Sequence, residues 1–243
     1  DQEDGVKAYI KEDEFTECLL NNLMISGIEN QKIDLTIVTI EDKNWNALWE
    51  SNFESIVINS KCTIRAPFHA KPQVEYDVII SPQMSFGTGH HETTFLMSKE
   101  LFSIDLASVD LLDMGSGTGV LAILAEKLGA KKITAIDIEE GAYINTIENC
   151  KLNNTKNIIV EKGGSKLLER SLFQVILANI NKNILLQDMA VYSSCLTIGG
   201  KLLLSGFFTA DIDDVMDQAV DNGLKFVGAE EKNNWAMLMF EKI

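Results

Sequence analysis

Three glycines, Gly115, Gly117 and Gly119, alternate with other residues in the stretch DMGSGTG. A glycine-rich turn between a strand and a helix lets the backbone approach a ligand and points the amides of the helix N-terminus at it. Asp137 lies about 20 residues further on, at the end of a second apolar run, where an acid accepts hydrogen bonds from ribose hydroxyls. Together, the turn and the acid predict a site for a nucleoside-like ligand.

The spacing of the glycines distinguishes between two kinds of nucleotide. A dinucleotide fingerprint has the form G-x-G-x-x-G, and its third glycine would stand where this chain has Val120. The pattern therefore favours a nucleoside without a diphosphate and disfavours an NAD-dependent dehydrogenase. A tight turn that holds no ligand is the plainer alternative, but it leaves the well-spaced acid unexplained.

The elements that position these residues follow from alternating patterns after Val109. Apolar β-rich runs alternate with helical patterns, which is typical of βαβ units around a parallel sheet. Strands are predicted at VDLLD, KKITAID, NIIVEKG, FQVILAN and GGKLLLSG. The last two runs, LKFVGAEEK and NWAMLMFEKI, are joined by a short turn that contains asparagine, so we predict an antiparallel hairpin.

Helices are predicted where apolar residues recur every three or four positions. One helix spans Val120 to Leu128 and is stopped by Gly129. The apolar faces of the next three helices are expected to carry Tyr143, Ile147 and Cys150; Leu185, Met189, Tyr192 and Leu196; and Ile212, Val215, Met216 and Ala219.

The N-terminal part has a different pattern, which predicts a small α+β domain over residues 1–42. Strands are expected at Val6–Ile10 and Ile33–Ile40, on either side of a helix. Residues 43–68 are predicted to form a linker helix and junction strands, and residues 69–243 the cofactor-binding catalytic domain. The linker helix carries an aromatic stripe that packs between domains or contacts a partner protein: Trp45, Leu48, Trp49 and Phe53.

Composition limits the partners and the compartment. The formal net charge of −15 argues against a surface built to grip nucleic-acid phosphates and suits a basic protein partner. No apolar run reaches the roughly 20 residues that span a bilayer, and the acidic N-terminus is unlike a signal peptide, so we predict a cytoplasmic protein without membrane contact. Because the first residue is Asp1, we expect that the natural chain began further upstream or was processed.

The four cysteines are far apart and stand in apolar surroundings: Cys18, Cys62, Cys150 and Cys195. This spacing indicates reduced structural thiols and not a disulfide framework or a zinc site. Adjacent His90 and His91 lack a third ligand nearby in the sequence, so no metal site is predicted.

Several motifs resemble a known family. DMGSGTG followed by AIDI resembles the first motif and the second-strand acid of class I S-adenosylmethionine-dependent methyltransferases. SPQMSFGTGHHETT is similar to a DPGLAFGTGTHPTT type of segment in ribosomal protein L11 methyltransferases, the PrmA family, and LANINKNILL resembles that family's VANIL motif. The paired tryptophans of NWNALWESNF also match its linker. The resemblance extends from Trp45 to the C-terminus, with departures at His90 and Glu92, where the family commonly has Thr and Pro.

This resemblance implies a fold, a cofactor and a substrate. The fold would be a class I methyltransferase Rossmann-like α/β sheet of seven strands ending in an antiparallel hairpin. The cofactor would be S-adenosylmethionine, and the acceptors lysine ε-amines and the α-amine of ribosomal protein L11, which the N-terminal domain would hold. The protein is expected to be a monomer. Four cofactor-binding positions are carried over from the family by motif match: Thr94, Gly115, Asp137 and Asn179. Gly117 of the turn, and Phe86 and Gly87 of the loop before Thr94, are predicted to bind the cofactor as well.

Asn179 is also the candidate catalytic residue. It ends the fourth strand, at the sheet edge where such sheets bind ligands, and its carbonyl oxygen can orient an acceptor amine by accepting N–H bonds. Alternatively, Asn179 caps the helix that starts near Asn181. The loop from Phe86 to Thr94 has the glycines and polar groups of a lid over the cofactor, in which His91 either fixes the loop shape or acts in catalysis.

Other functions stay open at this point. The same fold could methylate another protein or a small molecule, or the chain could be a binding module without activity. Glutamine methylation is disfavoured because ANIN stands where those enzymes carry NPPY.

Overall fold

The computed structural model describes residues 54–81, 91–168 and 171–243, together with Ile10 and Phe15. The chain divides into two units, Asp1–Trp49 and Glu50–Ile243, and the elements below belong to the second. The strands and helix predicted within residues 1–42, the aromatic stripe, and loop residues 86–90 lie outside the described residues. The three domain ranges therefore stay predictions.

A small sheet precedes the main one. It contains β1 (Ile56–Asn59), β2 (Cys62–Arg65) and β3 (Tyr76–Ile79), with β2 between the other two. β1 pairs with β2 antiparallel, whereas β2 and β3 run parallel. The first two strands agree with the strands predicted at the domain junction.

The main sheet has seven strands. They are β4 (Asp110–Met114), β5 (Lys132–Asp137), β6 (Ile158–Lys162), β7 (Phe173–Asn179), β8 (Leu196–Phe208), β9 (Leu224–Lys232) and β10 (Trp235–Lys242). Their order is β6-β5-β4-β7-β8-β10-β9; the first five strands are parallel, and β10 runs antiparallel to both neighbours. Asn233 and Asn234 join β9 to β10 with φ of 49° and 66°, the positive values that a two-residue hairpin turn needs. The predicted class I fold with a terminal hairpin is confirmed.

Five helices lie in the described part of the chain. They are α1 (Glu92–Glu100), α2 (Val120–Lys127), α3 (Glu140–Leu152), α4 (Lys182–Cys195) and α5 (Ile212–Asp221). Leu196, predicted to continue the face of α4, instead begins β8. None of these helices combines the length and apolarity that a membrane crossing requires.

Two apolar cores lie on opposite faces of the main sheet, because successive strand residues point to opposite sides. Leu111 belongs to the core that includes α1 and α2, and Leu112 to the core that includes α4 and α5. Of the cysteines, Cys62 and Cys195 are buried and Cys150 is half-buried, all with free thiols; Cys18 lies outside the described residues. Burial raises the pKa of Cys62 to about 12, which suits a structural thiol.

The prediction for α3 was only partly right. Tyr143, Ile147 and Cys150 lie on one face but are half-buried. The fully buried side chains are those of Ala142, Asn145, Thr146 and Asn149. α3 therefore turns a mainly polar face inward.

Candidate active site

The turn after β4 is built from left-handed glycines. Gly115, Gly117 and Gly119 have φ of 74°, 58° and 77°. A Cβ added at Gly115 would lie 2.1 Å from the Ile180 side chain, so the position has no room for any other residue. The amide of Gly115 donates to the Ile136 carbonyl oxygen over 2.8 Å, which draws the turn across the carboxyl end of β5.

Asp137 stands at that end of β5 and is held by two backbone amides. Its Oδ2 accepts from the Gly117 amide at 2.8 Å, and its Oδ1 accepts from the Glu139 amide at 3.0 Å. Each carboxylate oxygen has a further lone pair, so both can still accept a hydrogen bond from a hydroxyl group. The sequence motif thus corresponds to a direct bond between turn and acid.

Asn179 ends β7 beside α1. Its Nδ2 donates to the Thr94 hydroxyl at 3.3 Å, and Thr94 is buried. Its Oδ1 is also buried and has no hydrogen-bond partner among the described residues. Leaving a buried acceptor unpaired costs about 1–3 kcal/mol. A buried acceptor without a partner is therefore typical of a group that a ligand uses. The alternative assignment of Asn179 as a helix cap is wrong, because Asn181 caps α4 by accepting from the Asn183 amide at 2.9 Å.

One cavity of about 970 Å³ brings together four of the predicted residues, Gly115, Gly117, Asp137 and Asn179. Thr94 is connected to this cavity through its hydrogen bond with Asn179. Phe86 and Gly87 lie outside the described residues, so their predicted contacts with the cofactor stay predictions.

Sequence reasoning missed other parts of the cavity wall. Gly163, Gly164 and Ser165 follow β6 and line the cavity, as do Ile138 and Trp235. Ile138 is 70% exposed, which is unusual for an isoleucine beside a buried acid. The glycine pair after the third strand was a usable signal, because all parallel strands end at this edge of the sheet. Trp235 comes from the hairpin and had no such signal.

The hairpin also holds the start of α1. The His91 ring caps α1, because its Nδ1 accepts a hydrogen bond from the Thr93 amide at 3.3 Å. The same ring packs edge-to-face against the Trp235 ring, with 4.5 Å between the ring centroids. Asn233 donates to a Glu92 carboxylate oxygen at 2.9 Å, and this bond is the main cause that lowers the pKa of Glu92. His91 thus has a role in fixing the local shape, and Glu92, a departure from the family pattern, has a defined partner.

A second acid lies beneath the glycine turn. Asp113 is buried, its Oδ2 accepts from the Ala122 amide at 3.1 Å, and its Oδ1 has no partner in the described part of the chain. Burial raises the pKa of Asp113 to about 7, with a smaller contribution from the nearby charge of Asp137.

Gly206, near the end of β8, forms another part of the cavity wall. It has a φ of 98° and lines the cavity. An added Cβ would lie 2.2 Å from the backbone oxygen of Ile180. Ile180, the residue after Asn179, is thus packed between two glycines.

Comparisons with known proteins agree with this geometry. The sequence profile of the family described as ribosomal protein L11 methyltransferase (PrmA) matches residues 1–243. A ribosomal protein L11 methyltransferase of Phocaeicola vulgatus is 45% identical over 242 residues, which are 98% of this chain and 86% of the relative. The crystal structure of ribosomal protein L11 methylase from Lactobacillus delbrueckii subsp. bulgaricus matches with a TM-score of 0.72 at 25% identity, over 79% of this chain and 100% of that chain. The fold alone is shared with M. jannaschii TYW2, solved in complex with AdoMet, at a TM-score of 0.50 and 20% identity, over 63% of this chain and 78% of that chain.

Proposed function

The chain belongs to the ribosomal protein L11 methyltransferase (PrmA) family, and from this premise we propose that it methylates amino groups of ribosomal protein L11. The enzyme is an S-adenosylmethionine-dependent protein methyltransferase. The proposed acceptors are lysine ε-amines and the N-terminal α-amine. The observation that carries the proposal is the buried Oδ1 of Asn179, which has no partner among the described residues, in the cavity that the glycine turn and Asp137 also line.

The residues present fit the cofactor. The left-handed glycine turn, whose Gly115 and Gly117 line the cavity, and the further lone pairs of Asp137 suit a nucleoside. We propose that Asp137 holds the ribose hydroxyls, that Gly115 and Gly117 allow the close approach, and that Thr94, Phe86 and Gly87 complete the site. S-adenosylmethionine, when bound, supplies a methyl group carried on a sulfonium.

Asn179 would act on the acceptor amine. A lysine amine has a reference pKa of about 10.4, so it must be neutral before its lone pair is available. The free Oδ1 of Asn179 can accept one N–H of the neutral amine, while the bond from its Nδ2 to Thr94 keeps the amide from rotating. This arrangement would supply orientation, which is most of what an in-line displacement requires from a protein.

The partner and the setting follow from the same proposal. A chain of net charge −15 suits a basic ribosomal protein and does not suit direct nucleic-acid binding. We propose that residues 1–42 hold this substrate, that the enzyme acts as a monomer, and that it works in the cytoplasm.

Replacing Asp137 tests the cofactor site. Asp137→Ala should weaken S-adenosylmethionine binding about tenfold or more in calorimetry, because ribose hydroxyls lose a charged acceptor worth about 1.5–3 kcal/mol. Asp110→Ala, which removes an acid at the opposite end of β4, is the control and should bind as the wild type does. Unchanged affinity in a folded Asp137→Ala protein would remove the assignment.

Labelling tests the substrate. The enzyme is incubated with labelled S-adenosylmethionine and ribosomal proteins of its own source, and the labelled protein is identified by mass. We expect label on amino groups of L11. Label on another protein alone would overturn the L11 proposal and leave the methyltransferase assignment intact.

A further inference from the structure

The inward face of α3 raises a question of energy. Asn145 and Asn149 are fully buried one turn apart, and Asn153 follows at the next turn, half-buried. Burying an amide is costly unless its donors and acceptors are paired, and leucines at these positions would carry no such cost. The side chains therefore have partners that a leucine could not serve.

Most of these partners are backbone groups at the last residue of β3 and two residues beyond it. Asn153 Oδ1 accepts from the Ile79 amide at 2.9 Å, and its Nδ2 donates to the Ile79 carbonyl oxygen at 2.6 Å. Asn149 Oδ1 accepts from the Ser81 amide at 2.8 Å, and Asn145 Nδ2 donates to the Ser81 carbonyl oxygen at 3.5 Å. The neighbouring residue Ile80 instead donates to β2, at Arg65. We refer to Asn145, Asn149 and Asn153 as the asparagine ladder.

The asparagine side chains can bond to this chain edge because the rise of the helix is close to the rise of the strand. Four residues of helix advance about 6.0 Å, and two residues of strand advance about 6.6 Å. Asn153 and Asn149, four positions apart, thus meet Ile79 and Ser81, alternate residues whose amides and carbonyls point away from β2, and Asn145 also reaches Ser81. α3 takes the place of a further strand at this edge.

Asn149 differs from the other members in having a second contact on the glycine turn. Its Nδ2 donates to the Thr118 carbonyl oxygen at 2.9 Å. The same amide group therefore joins the turn to Ser81, where the sequence segment that continues to Thr94 begins. Asn153 bonds to Ile79 and to the Asn149 carbonyl oxygen, neither of which belongs to the turn.

We propose that Asn149 is a positioning residue for the cofactor. It holds the glycine turn at Thr118 against the chain at Ser81, so that the turn, whose Gly115 and Gly117 line the cavity, is kept in one position. Asn153 makes similar bonds for the stability of β3 alone. The inference rests on the proposed function only in that S-adenosylmethionine and its product serve as the probes.

Asn149→Asp and Asn153→Asp make one chemical change at neighbouring turns. Each keeps the acceptor for a backbone amide, that of Ser81 or Ile79, and removes the donor, and both should lower the thermal midpoint. We expect Asn149→Asp to raise the dissociation constant of S-adenosylhomocysteine about tenfold in calorimetry, and Asn153→Asp to change it less than about twofold. In L11 methylation, the KM for S-adenosylmethionine should rise in Asn149→Asp while kcat falls much less.

Ser81→Pro tests the same link from its other end and serves if Asn149→Asp does not fold. It removes the amide that Asn149 accepts from and leaves α3 and the turn unchanged; proline is tolerated at a strand edge whose amide is not needed for pairing. It should also weaken S-adenosylhomocysteine binding several-fold. Wild-type affinity in a folded Asn149→Asp or Ser81→Pro protein, or equal losses in Asn149→Asp and Asn153→Asp, would overturn the inference. A wild-type protein that fails to bind S-adenosylhomocysteine would instead overturn the cofactor assignment.

Discussion

The helices α2 and α3 precede and follow β5, yet they are held by different forces. α2 buries six consecutive residues, Val120 to Ala125, all apolar. α3 buries one alanine and three polar side chains. A helix that is apolar all round is stabilised by the area that it removes from water, which depends little on direction. A helix held by hydrogen bonds depends on where each donor and acceptor points. The difference separates a helix that supports the sheet from one that positions the site.

The strongest test concerns the acid beneath α2. Burial raises the pKa of Asp113 from 3.8 to about 7. Between about pH 4 and pH 7, the folded protein keeps a proton that the unfolded chain has released, so its free energy of unfolding falls as the pH rises. Each pKa difference of one is worth about 1.4 kcal/mol, so the full effect is about 4 kcal/mol above pH 7.

Asp113→Asn removes this titration while keeping an acceptor for the Ala122 amide. Urea unfolding from pH 4 to pH 8 should show a decline in stability for the wild type that is smaller in the variant by up to about 4 kcal/mol. Parallel pH profiles for the two proteins would mean that Asp113 titrates normally, and that α2 does not rest on a neutral acid.

The next test removes apolar volume from α2. Leu124 is fully buried, so Leu124→Ala should lower the free energy of unfolding by about 3 kcal/mol through lost burial and a cavity. The same change at Leu152, the last residue of α3 and 40% exposed, should cost less than about 1 kcal/mol. Folded Leu124→Ala should bind S-adenosylmethionine with nearly wild-type affinity. A large loss of affinity would contradict the proposed difference between the two helices, because α2 would then also position the site.

The last test concerns a hydrogen bond between α3 and the glycine turn, with a small expected change in stability. Thr146 donates to the Gly117 carbonyl oxygen at 3.0 Å, and Thr146→Val keeps the shape while losing this bond. The free energy of unfolding should fall by about 1 kcal/mol. The dissociation constant of S-adenosylmethionine should rise several-fold, because the glycine turn loses a hydrogen bond that holds it in place. Thr134→Val on β5 is the matched control and should leave affinity unchanged. If Thr146→Val also binds normally, Thr146 contributes to stability only.

Local signals in the sequence were enough to predict the part of the fold around α2. Helix Val120–Leu128 was predicted from its apolar run and its stop at Gly129, and the observed helix ends one residue earlier, with Gly129 at a φ of 110°. Only glycine takes such a value freely, so the stop is encoded in one residue. The buried face of α3 was not predictable in this way, because its partners are backbone groups of Ser81 and of the glycine turn, which lie about 30 to 70 residues away in the chain.

The candidate site shows the same division. Gly115 and Asp137 were found because the turn and the acid have a fixed spacing along the chain, and Asn179 because it ends an apolar strand. Ser165 and Trp235 were missed, since they reach the cavity from β6 and from the hairpin. Residues whose role depends on what folds against them leave no periodic signal in the chain.

The packing of Ile180 between two glycines has a consequence for how related sequences can diverge. The obstacle at Gly115 is the side chain of Ile180, whereas the obstacle at Gly206 is the backbone of the same residue. A smaller residue at 180 would relieve the clash at 115, where the φ of 74° would still favour glycine. No substitution at 180 opens space at 206, because every residue has the same backbone. Position 206 is therefore expected to stay glycine in every lineage that keeps this fold, whatever acceptor its members come to methylate.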